Sequence, residues 1–83
     1  MRRKEHPYKG RRYLVDINPL SKVIHDLEHE KKSCNVHKII ESHVKMLDTK
    51  SQVNRLLLLK SGYNFCKCCM PEEYEIYNKD QQQ

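Results

Sequence analysis

The sequence has few of the residues from which a hydrophobic core is usually built. Its 83 residues include no tryptophan and one phenylalanine, and 33% of them are charged. A chain of this length buries a limited share of its surface, so its core alone contributes little net stability. Such chains commonly depend on disulfides, a metal or a partner. The four cysteines and five histidines are suited to the first two.

Long apolar runs are also missing. The longest is the four leucines at residues 56–59, far short of the ~18 residues that a membrane span needs. The first residues are positively charged, but no apolar stretch follows them as it would in a secretory signal. We therefore expect a cytoplasmic protein with no membrane partner. In that reducing compartment, paired cysteines usually serve metal binding or catalysis rather than disulfides.

The scarcity of glycine excludes catalytic motifs that need several glycines. Gly10 and Gly62 are the only glycines, so the chain has no glycine-rich phosphate loop, and no serine lies in a nucleophile elbow. The carboxylates of Glu72 and Glu73 lie in a polar run, without an apolar setting to separate their pKa values. We predict that the chain is not an enzyme.

Positive charge is concentrated at the beginning of the chain. The formal net charge is +5, and residues 1–13 account for it with six basic side chains against Glu5. The six are Arg2, Arg3, Lys4, Lys9, Arg11 and Arg12. A basic arm of this kind predicts contact with nucleic-acid phosphates, and its alternative is a solvated, disordered segment.

The residue pattern predicts an α+β fold with a small antiparallel β-sheet and one main helix. Strand-forming residues at 12–17, 22–25 and 43–48 are separated by turn and polar segments. Residues 50–61 have apolar side chains at helical spacing, with Thr49 or Ser51 as N-cap and Gly62 as a left-handed stop. Pro71 can begin a last helical turn.

These elements predict one domain with two extensions. We expect residues 1–11 to form a flexible basic arm, residues 12–77 the folded domain, and residues 78–83 a disordered polar tail.

The clearest chemical motif is the Cys-x-x-Cys pair of Cys66 and Cys69. Two intervening residues let a tight turn direct both thiolates at one tetrahedral ion, as in a zinc knuckle. A redox role would require the pair to open a long helix in a βαβ setting, whereas here it follows the main helix. A structural Zn²⁺ site needs further ligands, and Cys34 is the cysteine that stands apart from this cluster. Cys68 lies too close to both partners to chelate with them, so we leave it unliganded.

Spacing alone does not decide which histidine is the fourth ligand. His37 forms a local Cys34-x-x-His37 pair with good knuckle spacing, which favours it narrowly. His25 ends the second predicted strand, nine residues before Cys34.

The residues from about 13 to 71 resemble the small zinc-binding domains related to the N-terminal domain of the Ada methyl-phosphotriester repair protein. The resemblance is strongest in the ten residues at 62–71, Gly-Tyr-Asn-Phe-Cys-Lys-Cys-Cys-Met-Pro, and is looser upstream around Val-Ile-His-Asp-Leu at 23–27. Related modules occur beside nucleases and as short bacterial and phage proteins. The resemblance implies that His25, rather than His37, binds zinc with Cys34, Cys66 and Cys69. Methyl transfer is not carried over, because fold does not establish function.

Two functions follow from the sequence. The first is an accessory nucleic-acid-binding module of bacterial or phage type, with structural zinc and a DNA contact through the basic arm. The second is a protein-interaction module, either an inhibitor of phage type or a homodimer, that uses the leucine-rich helix.

Overall fold

The computed structural model describes residues 2–81 as a four-stranded sheet with two α-helices. The strands are β1 (Tyr13–Asp16), β2 (Val23–Asp26), β3 (Val44–Leu47) and β4 (Asn64–Phe65), and the helices are α1 (Lys50–Leu59) and α2 (Pro71–Gln81). Between β2 and β3 the chain forms four single turns of 3₁₀ helix. The α+β prediction is therefore confirmed.

Strand β1 is one of the two internal strands of the sheet, because the sheet order is β3-β1-β2-β4. It pairs antiparallel with β2 and with β3, and all four of its residues are buried. Successive side chains on a strand point to opposite faces. Val15 accordingly lies in a cluster with Ile24, Val53 and Phe65, while Leu14 lies in a second cluster on the other face.

Helix α1 begins as the sequence predicts. The Thr49 side chain accepts a hydrogen bond from the Gln52 backbone N–H at 3.2 Å, and Gln52 Oε1 accepts one from the Thr49 N–H at 3.1 Å. This reciprocal capping box satisfies two N–H groups that a helix start leaves without partners. The helix buries Val53 in the core, whereas Leu58 and Leu59 are 87% and 69% exposed.

The structure differs from the prediction in the sheet and in the last helix. β4 is an additional strand that pairs parallel with β2, so the sheet is mixed rather than antiparallel. Pro71 begins a helix of 11 residues rather than one turn. Gly62 has the expected positive φ of 86°, but α1 has already ended at Leu59, so the glycine serves the following turn.

The extensions also differ from their predicted boundaries. Tyr8 is buried against Leu14, Leu27 and Val36, so the packed part of the molecule begins before residue 12. At the other end, α2 continues through residues 78–81, and residues 82–83 of the predicted tail lie outside the described part of the chain. Burial of the Tyr8 ring holds the N-terminal segment against the domain, because an aromatic ring removes a large apolar area from water.

No helix in the described range, residues 2–81, has the length and apolar character required to cross a bilayer.

An ion pair ties the N-terminal segment to the loop after β2. The Arg3 guanidinium donates to both carboxylate oxygens of Glu30, at 2.8 and 2.5 Å, and both side chains are largely shielded from solvent. Hydrogen bonding from Arg3 lowers the pKa of Glu30 below its usual value. The pair therefore stabilises the fold only while Glu30 is ionised.

We predict that Arg3→Ala lowers the free energy of unfolding by about 1 kcal/mol at neutral pH. Because the pKa of Glu30 is depressed in the folded state, this stabilisation is complete above the unfolded carboxyl pKa of about 4.3 and is lost as the pH falls further. Denaturant unfolding in a double-mutant cycle with Glu30→Gln measures the coupling, since the cycle cancels the pH dependence of the other groups. Arg2→Ala, which removes an exposed pair with Glu28, is the control. A coupling unchanged down to pH ~3 would contradict the assignment.

Candidate metal centre

Four metal-binding side chains converge at one end of the pairing between β2 and β4. They are His25, Cys34, Cys66 and Cys69, and their donor atoms all lie within 4.8 Å of one another. These are the residues predicted as ligands from the cysteine pattern and the resemblance. They come from three segments of the chain, since Cys66 and Cys69 share one turn, and tertiary structure brings the three segments together.

The parallel strand pairing explains the position of two of them. Ile24 of β2 is in register with Phe65 of β4, and the Cys66 N–H donates to the Ile24 carbonyl at 2.8 Å. The next residue on β2 is His25, so the imidazole and the Cys66 thiol emerge side by side. The register between β2 and β4 thus determines which histidine lies beside the cysteine pair.

The other two thiols arrive from tight turns. Cys34 ends a 3₁₀ turn, Lys32–Cys34, and its sulfur lies 3.6 Å from that of Cys66. After β4 the chain turns back on itself, with the Met70 N–H donating to the Cys66 carbonyl at 2.9 Å, and α2 then begins. This turn, the predicted knuckle, places the Cys69 sulfur 3.9 Å from Nδ1 of His25.

The centre is largely shielded from solvent but is not sealed. His25, Cys66 and Cys69 are each at most 7% exposed, while Cys34 is only half-buried. A groove of about 740 Å³ opens beside Cys34 and Cys66. All four cysteines of the chain are free thiols rather than disulfides.

Electrostatics within the cluster favour one thiolate and oppose further ones. Hydrogen bonding from Cys69 lowers the pKa of Cys66 to about 3, with a further contribution from His25. Because Cys69 donates this hydrogen bond, its own pKa is raised. Burial raises the pKa of Cys34. Three adjacent thiolates therefore require a cation to compensate their charge, and a bound metal ion deprotonates coordinating thiols outright.

A hydrogen-bonded pair of polar residues, Asp26 and Arg12, contacts the cluster at Cys69. The Asp26 backbone N–H donates to the Cys69 sulfur at 3.4 Å, and the Asp26 carboxylate accepts two hydrogen bonds from Arg12 at 3.1 and 3.0 Å. Asp26 is 4% exposed. This contact was not predicted from the sequence. The one feature that could have indicated it is that Asp26 directly follows His25 on a strand. Mutation of a group that orients a metal ligand typically lowers metal affinity about 10- to 100-fold.

The alternative ligands lie elsewhere. His37 is exposed on the turn Val36–Lys38 and is not part of the cluster. Cys68 is exposed between the two clustered cysteines of the knuckle and is likewise outside it. Among residues 2–79, this is the one group of three or more histidine, cysteine or acidic side chains whose geometry can hold a metal ion.

The predicted nucleic-acid contacts are partly occupied by acidic side chains of the same chain. The four arginines of the arm form ion pairs, which are Arg2–Glu28, Arg3–Glu30, Arg11–Asp48 and Arg12–Asp26. Lys4 and Lys9 are exposed, and neither forms an ion pair within the described residues. The arm's positive charge is thus partly compensated in the folded chain.

No family model, curated protein or solved structure matches the chain. The resemblance to Ada-like zinc domains therefore stays a prediction, and function has to be argued from the geometry.

We predict that Arg12→Ala weakens metal binding about tenfold, although Arg12 is not a ligand, because Asp26 then loses the contact that holds its backbone N–H at Cys69. A chelator-competition titration measures the change. Arg11→Ala is the matched control, since Arg11 pairs with the exposed Asp48 away from the cluster. Equal affinity in the two variants would exclude the supporting role of Arg12.

Proposed function

We propose that the chain is a zinc-binding protein in which one Zn²⁺ has a structural role. The observation that carries the proposal is the convergence of one imidazole and three thiol donors within 4.8 Å. A donor set of three cysteines and one histidine is typical of structural zinc, which prefers nitrogen and sulfur ligands in tetrahedral geometry.

The separations within the cluster fit that ion. Two sulfurs that share a tetrahedral zinc at about 2.3 Å lie about 3.8 Å apart, and a sulfur and a nitrogen lie slightly closer. Two of the six distances here are 3.6 Å between the Cys34 and Cys66 sulfurs and 3.9 Å between the Cys69 sulfur and Nδ1 of His25, and all six are within 4.8 Å. Little side-chain movement is needed to close the shell.

Four protein ligands fill the tetrahedral shell and leave no position for an activated water. Catalytic zinc sites keep such a position, so this donor set favours structure over hydrolysis. Zinc binding at such sites contributes on the order of 10 kcal/mol, which is comparable with the stability of a whole domain. For a chain with so small an apolar core, the ion becomes a condition of folding.

We predict one Zn²⁺ per chain by mass spectrometry under non-denaturing conditions. His25→Ala and Cys34→Ser should each lose the ion and the native NMR dispersion, because each removes one of four ligands. Their controls are His37→Ala and Cys68→Ser, which change the same residue types outside the cluster and should keep both.

Native dispersion that survives exhaustive chelation with reduced thiols would contradict the structural role. Loss of zinc in His37→Ala, but not in His25→Ala, would reassign the fourth ligand.

For the biological role of this domain we propose accessory nucleic-acid binding. The support is the excess of 16 basic over 11 acidic residues and the exposed lysines of the arm. The pairs of Arg2 and Arg11 are exposed, and surface ion pairs contribute little, so phosphate oxygens can replace their carboxylates. Arg3 and Arg12 are held more firmly by shielded acids and are assigned to the fold.

We predict that binding to a double-stranded oligonucleotide weakens steeply with salt, because phosphate contacts release counterions. The double variant Lys4→Ala, Lys9→Ala should reduce the slope of log K against log salt by about two. Fluorescence anisotropy at several salt concentrations measures this. The double variant Lys38→Ala, Lys79→Ala removes the same charge at exposed lysines outside the arm and should leave the slope unchanged. Binding that does not depend on salt would refute the proposal.

A further inference from the structure

A groove between β3 and α1 combines positive charge with exposed leucine. Its volume is about 330 Å³. Besides Gln52, it is lined by three cations and three leucines, which are Lys45, Arg55, Lys60, Leu47, Leu56 and Leu59. We call it the basic groove. It lies apart from the metal centre and shares no lining residue with it.

The charges of the basic groove have no partner within the described residues. No acidic side chain lines the groove, and none of its three cations takes part in an ion pair of residues 2–79. The arginines of the N-terminal segment, by contrast, are each paired with an acid. Leu59 is 69% exposed beside these cations. The groove therefore offers a binding surface for an apolar side chain flanked by carboxylates.

The outer face of α2 has this composition. Tyr74 and Tyr77 pack against the core, and Glu73 pairs with Lys50, so these residues are used within the molecule. Glu72, Glu75 and Ile76 are exposed, with Ile76 at 64%. The exposed Lys79 follows one turn after Glu75, so two carboxylates outnumber one cation on this face. Residues four apart on a helix share one face, so Glu72 lies beside Ile76. We call this set the acidic face.

We propose that the basic groove binds the acidic face of a second copy of the chain. Ile76 packs against Leu59 and its neighbours, while Glu72 and Glu75 lie opposite the groove cations. Both halves of the contact are present on every molecule. Two such contacts, related by a two-fold axis, close a dimer in which each copy supplies one groove and one helix.

This pairing has a physical basis in the size of the chain. Small domains with limited cores are commonly stabilised by oligomerisation as well as by metals. The contact also covers two of the largest exposed apolar side chains, Leu59 and Ile76. The contact uses neither a residue of the metal cluster nor one of the arm, so its charge-reversal test is separate from the tests of the proposed function.

The test is the mass of the zinc-loaded full chain by size-exclusion chromatography with light scattering. Because each copy contributes one small groove of about 330 Å³, we expect a weak dimer. It should show twice the 10.0 kDa chain mass at about 100 µM and dissociate on dilution or at high salt. Arg55→Glu should weaken the dimer at least about tenfold, and Glu75→Lys likewise, because each places like charges opposite each other.

The charge swap supplies the decisive comparison. Arg55→Glu combined with Glu75→Lys restores opposite charges across the contact and should recover dimerisation. Lys38→Glu, which makes the same charge change at an exposed lysine that lines neither the basic groove nor the pocket beside Glu72, should have no effect. Circular dichroism verifies that each variant is folded.

Three results would overturn the proposal. One is a single 10.0 kDa species at every concentration. Another is a dimer that ignores both charge reversals, which would place the contact elsewhere. The third is a monomeric chain whose basic groove instead captures an acidic amphipathic peptide, which would assign the groove to a different protein.

Discussion

The parallel pairing of β2 with β4 is the interaction on which the rest of the molecule depends. The alignment of Ile24 with Phe65 fixes the relation between His25 and Cys66, and the turn after β4 then brings Cys69 to the same point. A parallel pair requires a long connection between its strands. Here that connection contains β3, α1 and the 3₁₀ turns, so these elements lie between His25 and Cys66 of the candidate metal centre. The sheet and the candidate metal centre are consequently one structural unit.

Much of the local structure follows from the sequence, because local chemistry determines it. The strand-forming run ending at Asn18-Pro19, the cap at Thr49 and the proline at the start of α2 are each set by neighbouring residues. The fourth strand escaped prediction because it is two residues long, and a segment of that length has no readable alternation. Its existence depends on the exposed edge of β2, which lies some forty residues away.

The candidate metal centre shows the same contrast between features that local sequence predicts and features that depend on the folded chain. The Cys-x-x-Cys spacing makes Cys66 and Cys69 recognisable, and the need for further donors points to Cys34. Spacing alone favoured His37, and the choice between histidines depends on strand register, which one sequence does not reveal. The arm shows a related limit: its net charge is readable, but the pairing of Arg3 with Glu30 and of Arg12 with Asp26 is a property of the folded chain. Charge counted along a sequence therefore overstates the charge that a partner meets.

The long separation between the ligands has a consequence for biosynthesis. His25 and Cys69 are 44 residues apart, and the strand edge that aligns them is also formed late in the chain. While the ribosome is still translating the middle segment, a nascent chain has only His25 and Cys34 of the set, which is too few for tight capture. The donor set that a metal ion needs is therefore complete only after the second half has been synthesised, and until then Cys34 is the one thiol of the set that cellular oxidants and competing metals can reach.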